Sequence, residues 1–330
     1  MDTNEKRENW ERVAGAEEFD DKPIKPLTWG EIMERMVWRN VIQLGFFHAG
    51  FFTAVIMYCF RLYSVPIKWE TIAWAAAASH VPALGLTAGV HRLWTHRAYK
   101  AKIPLRIILM MMYSVAGLTS IFHWVKEHRV HHKFSETDAD PHNARRGFFY
   151  SHVGWILQRR HPEFLRRSRE IDMTDILSDP VAVFHKKYVT QMNLLFCFII
   201  PTVIPVVCWG EILLHAVLTQ CFIRHVLAFH FLWSVNSFAH LYGTRPYNRL
   251  INPAENRIVS LFTLGEGSHN YHHTFPWDYK ASEFPYFNFN STTLFIQAFE
   301  KIGWAYDLRE PSPELVDKVV RRVGYKSLSH

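Results

Sequence analysis

Cysteine is scarce in this chain and never occurs as C-x-x-C; Cys59, Cys197, Cys208 and Cys221 all lie in or beside apolar segments. That spacing excludes a disulfide framework and a zinc ribbon, and leaves the four as small buried hydrophobes. No nucleic-acid recognition motif accompanies the formal charge of +7. The basic balance points instead to anionic lipid, an anionic ligand or an acidic partner, with no nucleic acid expected. No short apolar core stands behind Met1, so a secretory signal peptide is not expected. The apolar residues, 49% of the chain, lack amphipathic spacing over long stretches and fall into blocks.

Two of those blocks, 41–62 and 71–90, are each about 20 residues long, enough for a hydrocarbon core of about 30 Å at 1.5 Å per residue. The first is nearly uncharged and the second carries no formal charge; a short connector with Pro66 suits a helical hairpin. A second pair, 188–209 and 212–238, flanks the tight turn Trp209-Gly210-Glu211, with Pro201 and Pro205 expected to bend its first helix. Segment 103–122, interrupted by Arg106, reads as a helix embedded in one leaflet, because a full crossing would part the histidine clusters on either side of it. Twelve tryptophans and thirteen tyrosines suit a protein with water–lipid boundaries. An even number of crossings puts both termini on one side. Arg35, Arg39, Arg92, Arg97, Lys100 and Lys102 make that side the cytosol. The sequon at Asn290-Ser291-Thr292 then never meets the glycosylation machinery. Residues 1–37 read as a flexible cytosolic tail.

Histidine is the abundant residue, with twenty in the chain. His128, His131 and His132 stand at i, i+3 and i+4, so on a helix all three imidazoles leave from one face. The pattern returns at His269, His272 and His273, and a shorter cluster, His91 and His96, precedes both. A lone histidine on an apolar face is ordinarily a packed, hydrogen-bonded core residue, and His48, His80, His215, His225 and His230 are read that way. Repetition sets the boxes apart and points to metal. Imidazole suits zinc, copper, iron and nickel. Structural zinc commonly adds cysteine, which no box contains, and haem would leave most of the histidines idle. Eight box histidines match two ions in one pocket, and an all-nitrogen di-iron centre fits best, unlike carboxylate-bridged soluble centres. Iron activating O2 beside a membrane points to attack on an unactivated C–H bond of a lipid.

The stretches His91-Arg-Leu-Trp-Thr-His96, Glu127-His-Arg-Val-His-His132, Ser135-Glu-Thr-Asp-Ala-Asp-Pro-His-Asn143, Gly147-Phe-Phe-Tyr-Ser-His-Val-Gly-Trp155 and Gly265-Glu-Gly-Ser-His-Asn-Tyr-His-His273 resemble the membrane acyl-CoA desaturases of animals, insect members above all. The resemblance covers about residues 38–307 and implies an all-α integral membrane protein. It would have four transmembrane helices, an amphipathic membrane-embedded helix and a cytosolic helical cap holding a di-iron site. Residues 38–310 would form the membrane fatty acid desaturase domain and 311–330 a cytosolic C-terminal tail. The implied reaction makes a cis double bond in a fatty acyl-CoA at the endoplasmic reticulum membrane. It uses O2 and electrons from cytochrome b5 with its NADH-dependent reductase.

The same resemblance makes His91, His132, His269, His273 and His240 ligands of one iron, and His96, His128, His131 and His272 ligands of the other. Asn236 would reach the second iron through water. Glu127, Asp138, Asp140 and Glu266 are candidates to fix the ring tautomers. Arg39 with Asn40, Lys126, Arg145, Arg146, Arg159 and Arg160 match or adjoin positions near the CoA entrance. Trp124 and Trp233 would line the bend of an acyl tunnel. Leu118 and Leu232 stand where many relatives have Gln and Thr, and Ser268 where relatives have an aromatic residue. Ser79 and Ala83 would form an unusually small tunnel end. These departures leave the double-bond position open, with a specialist in pheromone or cuticular hydrocarbon synthesis as one outcome. The rival readings are a membrane di-iron lipid hydroxylase and a non-enzymatic metal-binding membrane protein.

Overall fold

The computed structural model describes residues 28–285 and 289–324. Most of the stretch expected as an N-terminal tail lies outside these residues. Its last part forms the helix Trp29–Arg35, started by a capping box in which Thr28 and Glu31 each accept the other's backbone N–H.

Three helices among the described residues are long and apolar enough to cross a membrane: Trp38–Cys59, Pro180–Trp209 and Leu213–Leu241. Ile42, Phe46, Phe52 and Ile56 of the first are exposed, a surface suited to lipid rather than water. Pro180–Trp209 is not straight. Tyr188 leaves helical geometry, and Leu194–Ile199 widens to π-helix just before Pro201 and Pro205. A proline cannot donate to the carbonyl one turn back, so the preceding backbone has to rearrange. The block expected as the second span forms the helix Trp69–Leu84, which runs on as the π-helix Gly85–Thr95. It is not among the three.

The helix Ile103–Ser114 has 12 residues, about 18 Å of rise, too short for a hydrocarbon core of about 30 Å. It buries Leu105, Leu109, Met110 and Tyr113 and leaves Ile103 and Ile107 exposed. Its buried face crosses the π-helix so closely at Gly85 that a Cβ there would lie 2.3 Å from the Tyr113 amide nitrogen. Around this crossing sits the main core, joining Leu86, Val90 and Trp94 to Leu105, Leu109, Tyr113, Ile121 and Val125. Each fully buried apolar side chain contributes about 1.5–3 kcal/mol. Lys100–Ala101 pairs antiparallel with Ala305–Tyr306, tying the end of the first histidine box to the C-terminal part. Within the expected C-terminal tail, the helix Pro313–Val323 packs Val316 against Tyr271 and Phe275.

Four of the five lone histidines are packed and partnered. His215 bonds Tyr58 and the Val65 carbonyl, His48 and His230 face each other at 3.1 Å, and His225 is buried against Phe47 and Phe229. His80 departs from the expectation: it is exposed, and its ring bonds its own helix at the Ala76 carbonyl.

Candidate metal centre

The first box owes its geometry to the π-helix. Five residues of an α-helix turn through about 500°, which would splay His91 and His96 by about 140°. In a π-helix, hydrogen bonds run between residues five apart, and the His96 N–H donates to the His91 carbonyl. The two rings therefore leave from nearly one face, with centroids 4.8 Å apart. The second box lies on the helix Ile121–Lys133, started by Ser120, whose hydroxyl accepts the His123 N–H. The third lies on the short helix His269–Thr274, and His240 comes from the end of Leu213–Leu241.

These four segments bring nine imidazoles into two groups. His91, His96, His128, His132 and His272 form one, and His131, His240, His269 and His273 the other, with ligand nitrogens within 4.8 Å inside each group. By distance alone these groups differ from the division implied by the resemblance, which placed His91 and His132 with His269, and His131 with His96. The reason is helical phase. In the second box the i, i+4 pair His128 and His132 serves the first group, while His131 swings about 100° to the other. In the third box the i, i+4 pair His269 and His273 serves the second group and His272 crosses over.

Three carboxylates set the tautomers. His91 Nδ1 bonds Glu266 at 2.7 Å, His131 Nδ1 bonds Asp140 at 2.9 Å, and His240 Nδ1 bonds Glu136 at 2.8 Å. An ionised carboxylate only accepts, so each Nδ1 carries the hydrogen and each Nε2 offers a lone pair inward. Asp140 and Glu266 were among the expected carboxylates. Glu127 and Asp138 instead pair with Arg160 and Arg146. Glu136 was missed; nothing in its local sequence separates it from Asp138. His142 was also missed as a site residue. It is buried, its ring lies 4.2 Å from that of His131 at a tilt of 52°, and it lines the adjoining cavity.

Burial, and then repulsion by neighbouring imidazoles, holds His96, His128, His132, His269, His272 and His273 well below the usual histidine range. These rings are neutral at pH 7 and available as ligands. Burial alone would raise the Glu266 carboxyl, but His91 and Arg92 outweigh it and hold it at about 2. Arg92, itself buried, spans Glu266, Asn290, Thr293 and the Tyr279 carbonyl. It thus locks the first box to the third.

The residues fit metal ions. His96 Nε2 and His131 Nε2 are buried without a hydrogen-bond partner among the described residues. Elsewhere Nε2 faces Nε2, at 2.9 Å for His91 and His272, 3.1 Å for His132 and His272, 3.0 Å for His240 and His269, and 3.1 Å for His269 and His273. His269 Nε2 and His272 Nε2 each meet two such partners, and one hydrogen cannot serve both. A cation in each group would give these inward lone pairs a partner. Five and four imidazoles without carboxylate suit a transition ion and not calcium or magnesium.

A cavity of about 780 Å³ opens beside the groups, lined by His91, His128, His142 and His269. Of the expected substrate positions, Arg39, Asn40, Leu118, Trp124, Arg159, Arg160, Leu232 and Trp233 line it, as does Asn236. Lys126 does not. Ser79 and Ala83 are also outside the lining, which begins at Leu86 and Thr87 on the same helix. Ser79 and Ala83 stand on the α-helical part that precedes the π-helix carrying Leu86 and Thr87, so the lining stops short of them. Lys186, which had no assigned role, also lines the cavity and sits 3.8 Å over the Phe122 ring.

Residues 67–307 match the family model described as fatty acid desaturase. The chain is 46% identical over 291 residues to the acyl-CoA Delta(11) desaturase of Choristoneura rosaceana, covering 88% of this chain and 85% of that one. It is 47% identical over 290 residues to the acyl-CoA Delta-9 desaturase of Acheta domesticus, and 44% identical over 292 residues to the stearoyl-CoA desaturase of Sus scrofa. Each covers 88% of this chain and 79% of the relative. Boxes, cavity and kinship agree, and the chain belongs to the fatty acid desaturase family.

Proposed function

We propose that the protein is an acyl-CoA desaturase that introduces a cis double bond into the acyl chain of a fatty acyl-CoA. One observation carries this reading: two all-imidazole groups face a single cavity whose far walls are apolar, formed by Leu44, Phe47, Leu86, Phe229 and Leu232. The nine histidines would hold two iron ions, with Asn236 reaching one through water. Bound there, the irons supply O2 activation and the oxidising power that side chains lack.

The protein's own residues do the remaining work. Arg39, Asn40 and Arg159 at the mouth would receive the CoA phosphates. Arg160 is occupied by Glu127 and would brace the rim. The apolar walls exclude water and hold one methylene pair against the groups, with Trp124 and Trp233 on either side of the bend. Two hydrogens leave adjacent carbons, and two electrons and two protons from outside complete the reduction of O2 to two waters. Cytochrome b5 and its NADH-dependent reductase would deliver the electrons. The chain would cross the endoplasmic reticulum membrane four times, the helix Trp69–Leu84 being the fourth span, with both termini cytosolic.

The test is expression of the full chain in yeast lacking its own desaturase, with mass-spectrometric location of double bonds. New cis-monoenes are expected. Hydroxylated fatty acids would replace this reading with a lipid hydroxylase, and an unchanged lipid profile with iron bound would leave a metal-binding protein.

A further inference from the structure

Arg224 lies in the middle of the membrane-crossing helix Leu213–Leu241, 2% exposed. It makes no ion pair among the described residues. A cation is costly inside a membrane and is found there where it has a task. Here every oxygen it bonds is a backbone carbonyl: Nε donates to Gln220, Nη1 to Val115 at 3.3 Å and Nη2 to Cys197 at 2.6 Å. Val115 caps the C-terminus of Ile103–Ser114, where carbonyls lack partners inside the helix. Cys197 lies in the widened π-turn of the neighbouring span. The planar guanidinium reaches the two from two separate nitrogens, a fixed fork that the single nitrogen of an ammonium does not reproduce.

What Arg224 grips is one end of a turn that lines the cavity. Gly117 and Leu118 follow Val115, and both line it. Asn193, from the same span as Cys197, holds the other end by donating to the Leu118 carbonyl at 2.7 Å. Between the two clamps, Gly117 has φ +68° and fits so tightly that a Cβ would stand 2.9 Å from Cys197 Sγ and 3.0 Å from His225. The turn is thus placed by two helices outside it.

We infer that Arg224, which is outside the cavity lining, and Asn193, which is itself part of it, set the depth of the Gly117–Leu118 wall in the cavity, and through it which methylene pair of the bound chain meets the metal groups. This rests on the desaturase reading above. Neither residue touches the metal groups, so the expected signature is altered double-bond position without loss of metal.

The experiment expresses wild type, Asn193→Ala and Arg224→Lys as full chains in desaturase-deficient yeast. It measures the share of monoene at positions other than the wild-type main one, alongside iron per purified chain. The share is expected to change about fivefold or more in each variant, the scale of one lost hydrogen bond, with iron content at the wild-type level. A share within twofold of wild type in an accumulating Asn193→Ala protein overturns the inference, as does a shift accompanied by iron loss. If Arg224→Lys fails to accumulate, Asn193→Asp, which keeps the size of this lining residue and loses the donor to Leu118, decides together with Asn193→Ala. Absence of monoene from the wild type itself refutes the desaturase reading instead.

Discussion

The rings of His132 and His273 stack at 4.1 Å with their planes 15° apart, one from each histidine group. The groups therefore share a wall, and the boxes that supply them are cross-braced. His131 leaves its box for the second group and His272 leaves its box for the first. His131→Ala reduces the second group from four imidazoles to three. We expect purified His131→Ala to lose at least half of its metal and all measurable desaturation. His96→Ala, which leaves four in the first group, is expected to retain more metal. Metal per chain by plasma mass spectrometry checks the order; equal retention in both variants would contradict the division into groups.

Glu136 accepts from His240 Nδ1 across the centre. Glu136→Leu removes the group that fixes this tautomer, and metal affinity is expected to fall about 10–100-fold. Titration with a chelator reads this directly. Unaltered resistance to the chelator would remove Glu136 from the site.

Acid should strip the centre. The buried histidines have depressed pKa values from burial and mutual repulsion, so the unfolded chain binds protons more readily than the folded one. Stability is full above about pH 6.5, the ordinary histidine value, and declines as pH falls from there toward the depressed folded values. Melting temperature measured between pH 8 and 5 is expected to hold steady and then drop below about pH 6.5. A flat profile through that interval contradicts the assignment of neutral rings.

Buried Arg92 and Glu266 pair at 2.7 Å. Arg92→Met leaves Glu266 without its cation, and about 3–5 kcal/mol of stability should be lost. Thermal unfolding in detergent checks this, with the smaller loss expected from the double variant Arg92→Met, Glu266→Gln.

The cavity reaches Phe47 and Thr87 but not Ala83. Phe47→Ala should therefore admit longer acyl chains, while Ala83→Leu should leave the chain-length profile unchanged. Fatty-acid profiles of expressing cells distinguish the two positions. A shortened profile in Ala83→Leu would return the tunnel end to that residue.

The sequence by itself determined the chemistry of the site. Histidines at i, i+3 and i+4 in two boxes, with no cysteine near them, specify a multi-imidazole centre wherever the helices run, because helical spacing alone puts their rings within reach of one another. Three of the four long apolar blocks likewise form helices long and apolar enough to cross a membrane, since a backbone in lipid has to satisfy its own polar groups. Which histidine falls in which group was decided by tertiary structure. It depends on the phase at which separate helices meet, and on a π-helix at the first box that no residue pattern announces. The same holds for Glu136 against Asp138, two carboxylates in one loop, and for Arg224, whose partners Val115 and Cys197 come from distant segments. Local spacing fixes what one helix can offer; only the packing of distant segments fixes what that offer meets.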